Sequence, residues 1–83
     1  MDKLKAIEVF VRVVDLGSFT RAAESLAMPK ATVSTLLQDL EAQLGVRLLQ
    51  RTTRRVGLTA DGAAYYERCA RILDDVREAD EAV

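Results

Sequence analysis

A run of polar side chains follows Pro29 at a spacing that places them on one face of a helix. Their hydroxyl, amide and ammonium groups can form hydrogen bonds, and no carboxylate occurs among them before Asp39. An exposed helix normally mixes charges of both signs, whereas a face without acids is tolerated beside a polyanion. The pattern alone is compatible with a contact surface for nucleic acid or with an ordinary solvated surface. The side chains of this face are Lys30, Thr32, Ser34, Thr35 and Gln38.

A second group of candidate contacts is an arginine-rich segment without acids, which lies between two short apolar runs. The runs, 46–49 and 56–58, contain valine and leucine, so we predict a small β-hairpin with a basic tip. Such a hairpin is not stable alone and must pack against helices, whereas the alternative is a solvated loop. The arginines between the runs are Arg51, Arg54 and Arg55, and a fourth, Arg47, lies within the first run.

Charge is divided unevenly along the 83 residues, although the net charge is only −1. Residues 1–56 contain nine basic and six acidic side chains, whereas residues 57–83 contain three basic and seven acidic ones. The first two-thirds of the chain can therefore face a polyanion, while the remainder faces water or a protein partner.

Several kinds of chemistry are disfavoured by residues that the sequence lacks. Histidine, the commonest general base and metal ligand, is absent, and Cys69 is the single cysteine. These counts exclude a multi-cysteine zinc site and an internal disulfide framework. We therefore expect that this chain is not an enzyme and that it contains no metal or cofactor site. The acidic residues between 74 and 81 are interpreted as a solvated helix face.

Composition also bounds the class of protein. Apolar residues make up 49% and charged residues 30%, which suits one small folded domain. No run of about 20 apolar residues occurs, and the first residues do not form a signal peptide. We expect no contact with a membrane and a cytoplasmic location, associated with the nucleoid if the chain binds DNA.

Periodicity and capping signals divide the chain into helices. Apolar residues at helical spacing predict one helix before Gly17, a short one after Ser18 and a third between Pro29 and Gly45. Glycine is typical after a helix C-terminus, serine is a good N-cap, and proline fits the start of a helix. Thr59 caps a final helix that nothing interrupts up to the last residue.

The order of these elements is that of a mainly α-helical winged helix-turn-helix followed by a long dimerisation helix. We place the winged domain at 1–59, with the helix-turn-helix at about 19–38 and the wing at about 46–58. The linker helix occupies 60–83. In such a motif the second helix enters the major groove, with its first residues nearest the bases.

The last helix carries apolar residues at alternating spacings of four and three, which is a heptad seam. A second, shorter stripe contains Tyr66, Ala70 and Leu73. We expect one stripe to pack on the preceding helices and the other to meet a second chain, because an exposed apolar seam is unfavourable in a monomer. The seam consists of Tyr65, Cys69, Ile72, Val76, Ala79 and Val83.

A joint pattern over about sixty residues identifies a family resemblance. The residues that carry it are Leu4, Phe10, Gly17, Ser18, Phe19, Ala22, Ala23, Leu26, Thr32, Val33, Ser34, Leu40, Glu41, Leu44, Gly45, Leu48, Arg51, Arg54, Leu58, Thr59 and Gly62. Together they resemble the N-terminal DNA-binding domain and linker helix of LysR-type transcriptional regulators. The resemblance implies binding of promoter DNA as homodimers or tetramers. It also implies a separate C-terminal domain, absent from this chain, that senses a small-molecule effector.

The resemblance also assigns roles to positions of this sequence. Family base contacts carry over to Lys30, Ala31, Ser34 and Thr35, to which we add Thr32 from the same helix face. A second set of residues is predicted to contact the DNA backbone, either directly or as part of the wing. These residues are Ser18, Thr20, Pro29, Gln38, Arg51, Thr53, Arg54 and Arg55.

Three departures from the family pattern bear on sequence preference. Pro29 stands where many members have a capping serine, Lys30 replaces a glutamine, and Thr35 replaces an arginine. Lysine favours guanine acceptors or a phosphate, so we do not expect the usual DNA consensus of the family to carry over to this chain, although DNA binding itself is expected.

Two other functions remain as alternatives. The acidic end of the chain suits a helical protein–protein interaction module, and the order of elements is shared with winged helices of the molybdate-regulator type. Salt dependence separates the first alternative from DNA binding, because phosphate contacts weaken steeply as the salt concentration rises.

Overall fold

The computed structural model describes residues 1–51 and 56–83. Within these residues the chain forms four α-helices and one two-stranded sheet, which is the mainly α-helical order that the sequence predicts. The elements are α1 (Lys3–Leu16), α2 (Phe19–Leu26), α3 (Lys30–Leu44), β1 (Leu49–Arg51), β2 (Val56–Leu58) and α4 (Ala60–Glu81).

The helices begin and end at the residues that the sequence marks. Gly17 and Gly45 follow α1 and α3 with φ angles of 66° and 73°, a left-handed conformation that favours glycine. The Ser18 hydroxyl caps α2 by accepting a hydrogen bond from the backbone N–H three residues later. Thr59 caps α4 in the same way. These four predictions are confirmed. They could be made from the sequence because capping depends on neighbouring residues.

Helix α1 lies at the centre of the core and packs against α2, α3 and α4. Its Phe10 is fully buried, with ring centroids of Tyr65 and Tyr66 at 5.7 and 6.4 Å. Ala22 of α2 and Val33 of α3 are also fully buried. One core therefore fixes α1, α2 and α3 relative to one another and leaves the opposite face of α3 in solvent.

The sheet is shorter than the two apolar runs predict, because β1 begins only at Leu49. It pairs with β2 in antiparallel register, with Leu49 opposite Leu58. The Val46 N–H instead donates to the Glu41 carbonyl at 3.3 Å, and the Leu48 N–H donates to the Glu41 side chain at 2.7 Å. Residues 46–48 thus bond to the end of α3 rather than to a partner strand.

The first half of α4 turns the beginning of both apolar stripes toward α1, which corrects the predicted arrangement. Tyr65 and Tyr66 belong to different stripes, yet both contact Phe10, and Cys69 is only 1% exposed. The stripes start at consecutive residues, about 100° apart on a helix, so they form one broad face. The prediction that Cys69 lies on a seam between two chains is wrong, because the core already covers it. The seam residues that stay exposed are Ile72, Val76, Ala79 and Val83.

Candidate nucleic-acid interface

A tight turn joins α2 to α3 and sets the direction of α3. Ala27 adopts a left-handed conformation with a φ of 53°, and its N–H donates to the carbonyls of Ala23 and Glu24. Pro29 then precedes the first helical residue, with extended backbone and no side-chain cap. Helix α3 therefore begins at Lys30, the first residue of the predicted contact face.

Helix α3, called the recognition helix below, separates an apolar inner face from a polar outer face. Val33, Leu37 and Leu40 are buried, whereas Ser34 is half-buried at the edge of the outer face. The structure places all the predicted base contacts on this helix and turns most of them to solvent. The exposed members of the face are Lys30, Ala31, Thr32, Thr35 and Gln38.

Three of the predicted contacts to the DNA backbone lie at or next to the first residues of α2 and α3. They are Ser18, Thr20 and Pro29. Ser18 is half-buried, and its hydroxyl oxygen accepts the Arg21 N–H at 3.1 Å, so its first role is to stabilise α2. Thr20 and Pro29 are exposed. Contact of these three residues with DNA stays a prediction.

A buried acid at the root of the wing is a feature that the sequence analysis missed. Glu41 is 9% exposed, and its Oε2 accepts hydrogen bonds from the N–H groups of Leu48 and Leu49 at 2.7 and 3.2 Å. The Nε of Arg47 lies 3.7 Å from the same oxygen. Residues 47–49, called the wing root below, are thereby bonded to α3. The sequence does contain a signal for this feature, because Glu41 is an acid on the apolar side of an amphipathic helix.

The start of α4 holds the wing root from the other side. The Thr59 N–H donates to the Leu48 carbonyl at 3.1 Å, and the Thr59 hydroxyl donates to the Arg47 carbonyl at 2.6 Å. A Cβ built on Gly62 would lie 1.9 Å from the Leu48 carbonyl oxygen, so this approach requires glycine. The wing root is therefore held between the recognition helix and α4.

The basic tip of the predicted wing lies outside the described residues. This applies to Thr53, Arg54 and Arg55 and to the side chain of Arg51, whose backbone ends β1. The two strands lead into and out of this segment, and β2 packs against α1 and α4. The DNA contacts assigned to these four residues stay predictions.

Cys69 is poorly suited to nucleophilic chemistry. It is buried in the core, and burial raises the pKa of its thiol, which keeps the thiol protonated near neutral pH. Burial also raises the pKa of the Tyr65 hydroxyl to about 12, with a smaller contribution from Cys69. Both side chains therefore act as neutral packing groups between α4 and the rest of the core.

The described part of the chain contains no candidate membrane span and no metal cluster. None of its helices is both long and apolar enough to cross a bilayer. Across residues 1–51 and 56–83, acidic and cysteine side chains do not gather in groups of three or more that could hold a metal ion.

A shallow groove between α1 and α4 exposes apolar side chains next to the core. Leu4 is 46% exposed and lines this groove with Leu73 and Val76. Val76 is 39% exposed, and Ile72, one helical turn earlier, is 43% exposed. Adjacent exposed apolar side chains of this kind are a candidate contact surface for another protein chain.

Comparison with known proteins agrees with this geometry. The family model described as "Bacterial regulatory helix-turn-helix protein, lysR family" matches residues 4–63. An HTH-type transcriptional repressor of Pseudomonas aeruginosa is 58% identical over 78 residues, which cover 94% of this chain and 25% of that protein. The chain thus spans about a quarter of the length of this curated relative.

Solved structures extend the likeness to three dimensions. The BenM_DBD/catB site 1 DNA complex has a TM-score of 0.91 at 34% identity, covering 98% of this chain and 86% of that chain. The CbnR_DBD-DNA complex has a TM-score of 0.86 at 35% identity, covering 99% and 94%. The architecture is that of a winged helix-turn-helix with a long helix after the wing. The chain belongs to the lysR family of bacterial regulatory helix-turn-helix proteins.

Proposed function

We propose that this chain is the part of a transcriptional regulator that binds double-stranded DNA in a sequence-specific manner. The observation that carries the proposal is the outer face of the recognition helix, which is exposed, polar and free of carboxylates from Lys30 to Gln38. A helix fits the major groove, which is about 12 Å wide, and short polar side chains at its start can reach base edges. Lys30, Thr32 and Thr35 are the principal base contacts, with Ser34 at the edge.

The wing supplies contacts that do not depend on base sequence. Its arginines, Arg51, Arg54 and Arg55, neutralise phosphates or enter the adjacent minor groove. Gln38, at the far end of the outer face, bonds to the DNA backbone. The wing root supports this role because it fixes the start of β1 to the recognition helix through hydrogen bonds to Glu41.

The chain acts as a homodimer whose subunits meet through α4. Ile72 and Val76 expose apolar surface, Val76 in the groove that it shares with Leu4, and a two-fold pair of chains would cover this surface on both subunits. Two recognition helices would then face inverted half-sites separated by whole turns of roughly 34 Å. A tetramer is the corresponding proposal for the full-length protein.

Effector sensing belongs to the part of the protein that this chain does not span. The chain covers 25% of its Pseudomonas aeruginosa relative, so a C-terminal domain that binds a small molecule is proposed for the remainder. The chain itself has no enzymatic role in this proposal, and it requires no cofactor. Its proposed location is the cytoplasm, in association with the nucleoid.

Selection from a random double-stranded DNA library at two salt concentrations tests the proposal. We expect enrichment of a two-fold-symmetric motif, with binding that weakens steeply as salt rises. Absence of binding at low salt, by a chain shown to be folded, would contradict the proposal. That result would favour the alternative of a protein–protein interaction module, which the exposed apolar surface of α4 also suits.

A further inference from the structure

The buried carboxylate of Glu41 is an unusual feature of the recognition helix. Among residues 1–50 and 56–83, it is the only buried charged side chain, at 9% exposure. A buried charge is unfavourable unless hydrogen bonds and an opposite charge compensate for it. Its presence on the inner side of α3 therefore calls for a specific role.

Among residues 1–50 and 56–83, the hydrogen bonds and the ion pair of the Glu41 carboxylate are all made with the wing root. Its Oε2 accepts two backbone hydrogen bonds, from Leu48 at 2.7 Å and from Leu49 at 3.2 Å. Arg47, whose side chain is 69% exposed, provides a positive charge 3.7 Å away. Hydrogen bonds to an ionised acceptor are stronger than those between neutral groups, so this side chain holds the backbone firmly.

The bonded backbone is the point at which the wing starts. Leu49 is the first residue of β1 and pairs with Leu58 of β2, so its position sets the position of the hairpin. The carbonyl of Leu48 is bonded to Thr59 at the start of α4. One peptide segment thus joins the wing to α3 through Glu41 and to α4 through Thr59.

We propose that Glu41 is a positioning residue for DNA binding, which fixes the wing relative to the recognition helix so that both contact one duplex. This inference rests on the proposed function, since it assigns part of the binding affinity to the correct placement of the wing. Glu41 itself faces the wing root and touches no DNA. Its replacement therefore weakens the contribution of the wing and leaves base preference at the recognition helix intact.

The test compares Glu41→Gln with Glu67→Gln in the 83-residue chain. Glutamine keeps the size of the side chain but removes the charge that strengthens both hydrogen bonds. Glu67 is exposed on α4, so its replacement produces the same change in net charge away from the wing root. Amide hydrogen exchange is measured by NMR, and DNA affinity is measured over a range of salt concentrations.

The exchange measurement requires no DNA. For Glu41→Gln we expect exchange at the Leu48 and Leu49 amides to be about tenfold faster. Amides of α1 should keep the protection of the parent chain, which distinguishes local loosening from general unfolding. Parent-like exchange at both wing-root amides would overturn the proposal, even if the chain bound no DNA.

The affinity measurement tests the consequence for DNA. We expect Glu41→Gln to bind all sequences about tenfold more weakly, with a salt slope smaller by about 0.9 for each phosphate that the wing no longer neutralises. Preference among bases should stay as in the parent chain. Binding equal to that of Glu67→Gln, or a changed base preference, would overturn the proposal. If Glu41→Gln does not fold, Glu41→Asp, which keeps the charge but shortens the reach, is measured in the same way with the same expectations.

Discussion

The recognition helix α3 and the long helix α4 share one core but offer different surfaces to solvent. The outer face of α3 is polar and contains no acid from Lys30 to Gln38. The outer surface of α4 combines exposed apolar side chains, Ile72 and Val76, with all seven acids of residues 57–83. The first surface suits a polyanion and the second suits another protein chain.

The two helices also differ in how they are held. Helix α3 packs against α1 and α2, and Val33, Leu37 and Leu40 bury its inner face over two turns. Helix α4 is fixed by Gly62, Tyr65 and Cys69 in its first half, whereas residues 74–83 are exposed. The difference indicates that α3 presents a preformed contact surface, while residues 74–81 of α4 expose their side chains to solvent.

The largest effect is expected at the joint between α4 and the wing root. In Gly62→Ala, the added Cβ would lie 1.9 Å from the Leu48 carbonyl oxygen, and overpacking of this kind costs about 1–3 kcal/mol. The clash is with a backbone atom, which cannot move aside as a flexible side chain can, so the cost should lie at the upper end of this range and exceed the gain of about 1 kcal/mol from the better helix propensity of alanine. Urea unfolding should show a clear loss of stability. The control Gly57→Ala meets ordinary contacts at 3.8 Å and should change little, so equal stability of the two variants would contradict the packing described.

The next effect concerns the second surface. Ile72→Asp places a charge on the exposed apolar patch of α4, so the folded monomer should be unaffected while the dimer dissociation constant rises at least about tenfold. Sedimentation equilibrium measures the change. Ala63→Asp introduces the same charge at another exposed position of α4 and serves as the control. If the Ile72 variant dimerised as tightly as the parent chain, α4 would not be the dimer surface.

The third effect concerns the wing. Arg54→Ala should weaken binding to every DNA sequence and reduce the salt slope by about 0.9, because one phosphate is no longer neutralised. Fluorescence anisotropy at several salt concentrations measures both quantities. Arg71→Ala removes an exposed arginine from α4 and should leave the slope unchanged. An unchanged slope in Arg54→Ala would argue against that phosphate contact.

A smaller effect, on preference rather than affinity, is expected on the recognition helix. Thr35→Val keeps the shape of an exposed side chain but removes its hydroxyl. The free energy by which the chain discriminates among bases at the contacted position should therefore change by about 1 kcal/mol. Repeating the library selection with this variant measures the change. Equal loss of affinity on all sequences would contradict a base contact at this position.

The smallest effect is expected where α4 meets α1 at the surface. The Tyr66 hydroxyl donates a hydrogen bond to the Asp15 carboxylate, which raises the pKa of that hydroxyl above its usual value of 10.0. Because this bond is exposed, Tyr66→Phe should cost no more than about 0.5 kcal/mol at pH 7.

The pH dependence of this pair has a definite sign. A pKa raised in the folded state favours folding below pH 10, and this contribution is lost as the pH rises through the raised value. The stability difference between the parent chain and Tyr66→Phe should therefore shrink above pH 10, as measured by urea unfolding at pH 7 and pH 11. A difference that grows with pH would contradict the hydrogen bond.

Local signals in the sequence predicted most of the fold, because caps and helical periodicity depend on neighbouring residues. Gly17, Ser18, Gly45 and Thr59 mark the ends of helices as predicted. The position of the contact face on α3 follows from the same periodicity.

Features set by tertiary packing were not predictable in this way. The bonds of Glu41 reach residues seven and eight positions later in an irregular segment, where no periodic pattern signals them. The rotation of α4 about its own axis depends on how Tyr65 and Tyr66 fit around Phe10, so the sequence could not tell that both stripes begin against the core.

An NMR titration of the chain with a DNA duplex tests the division between the two surfaces most directly. At low salt, the amide signals of residues 30–38 should shift on addition of DNA, and the shifts should disappear at high salt. The signals of Ile72 and Val76 should respond to protein concentration instead. Shifts concentrated on α4, or no shift on α3 at any salt concentration, would contradict the assignment of α3 to DNA.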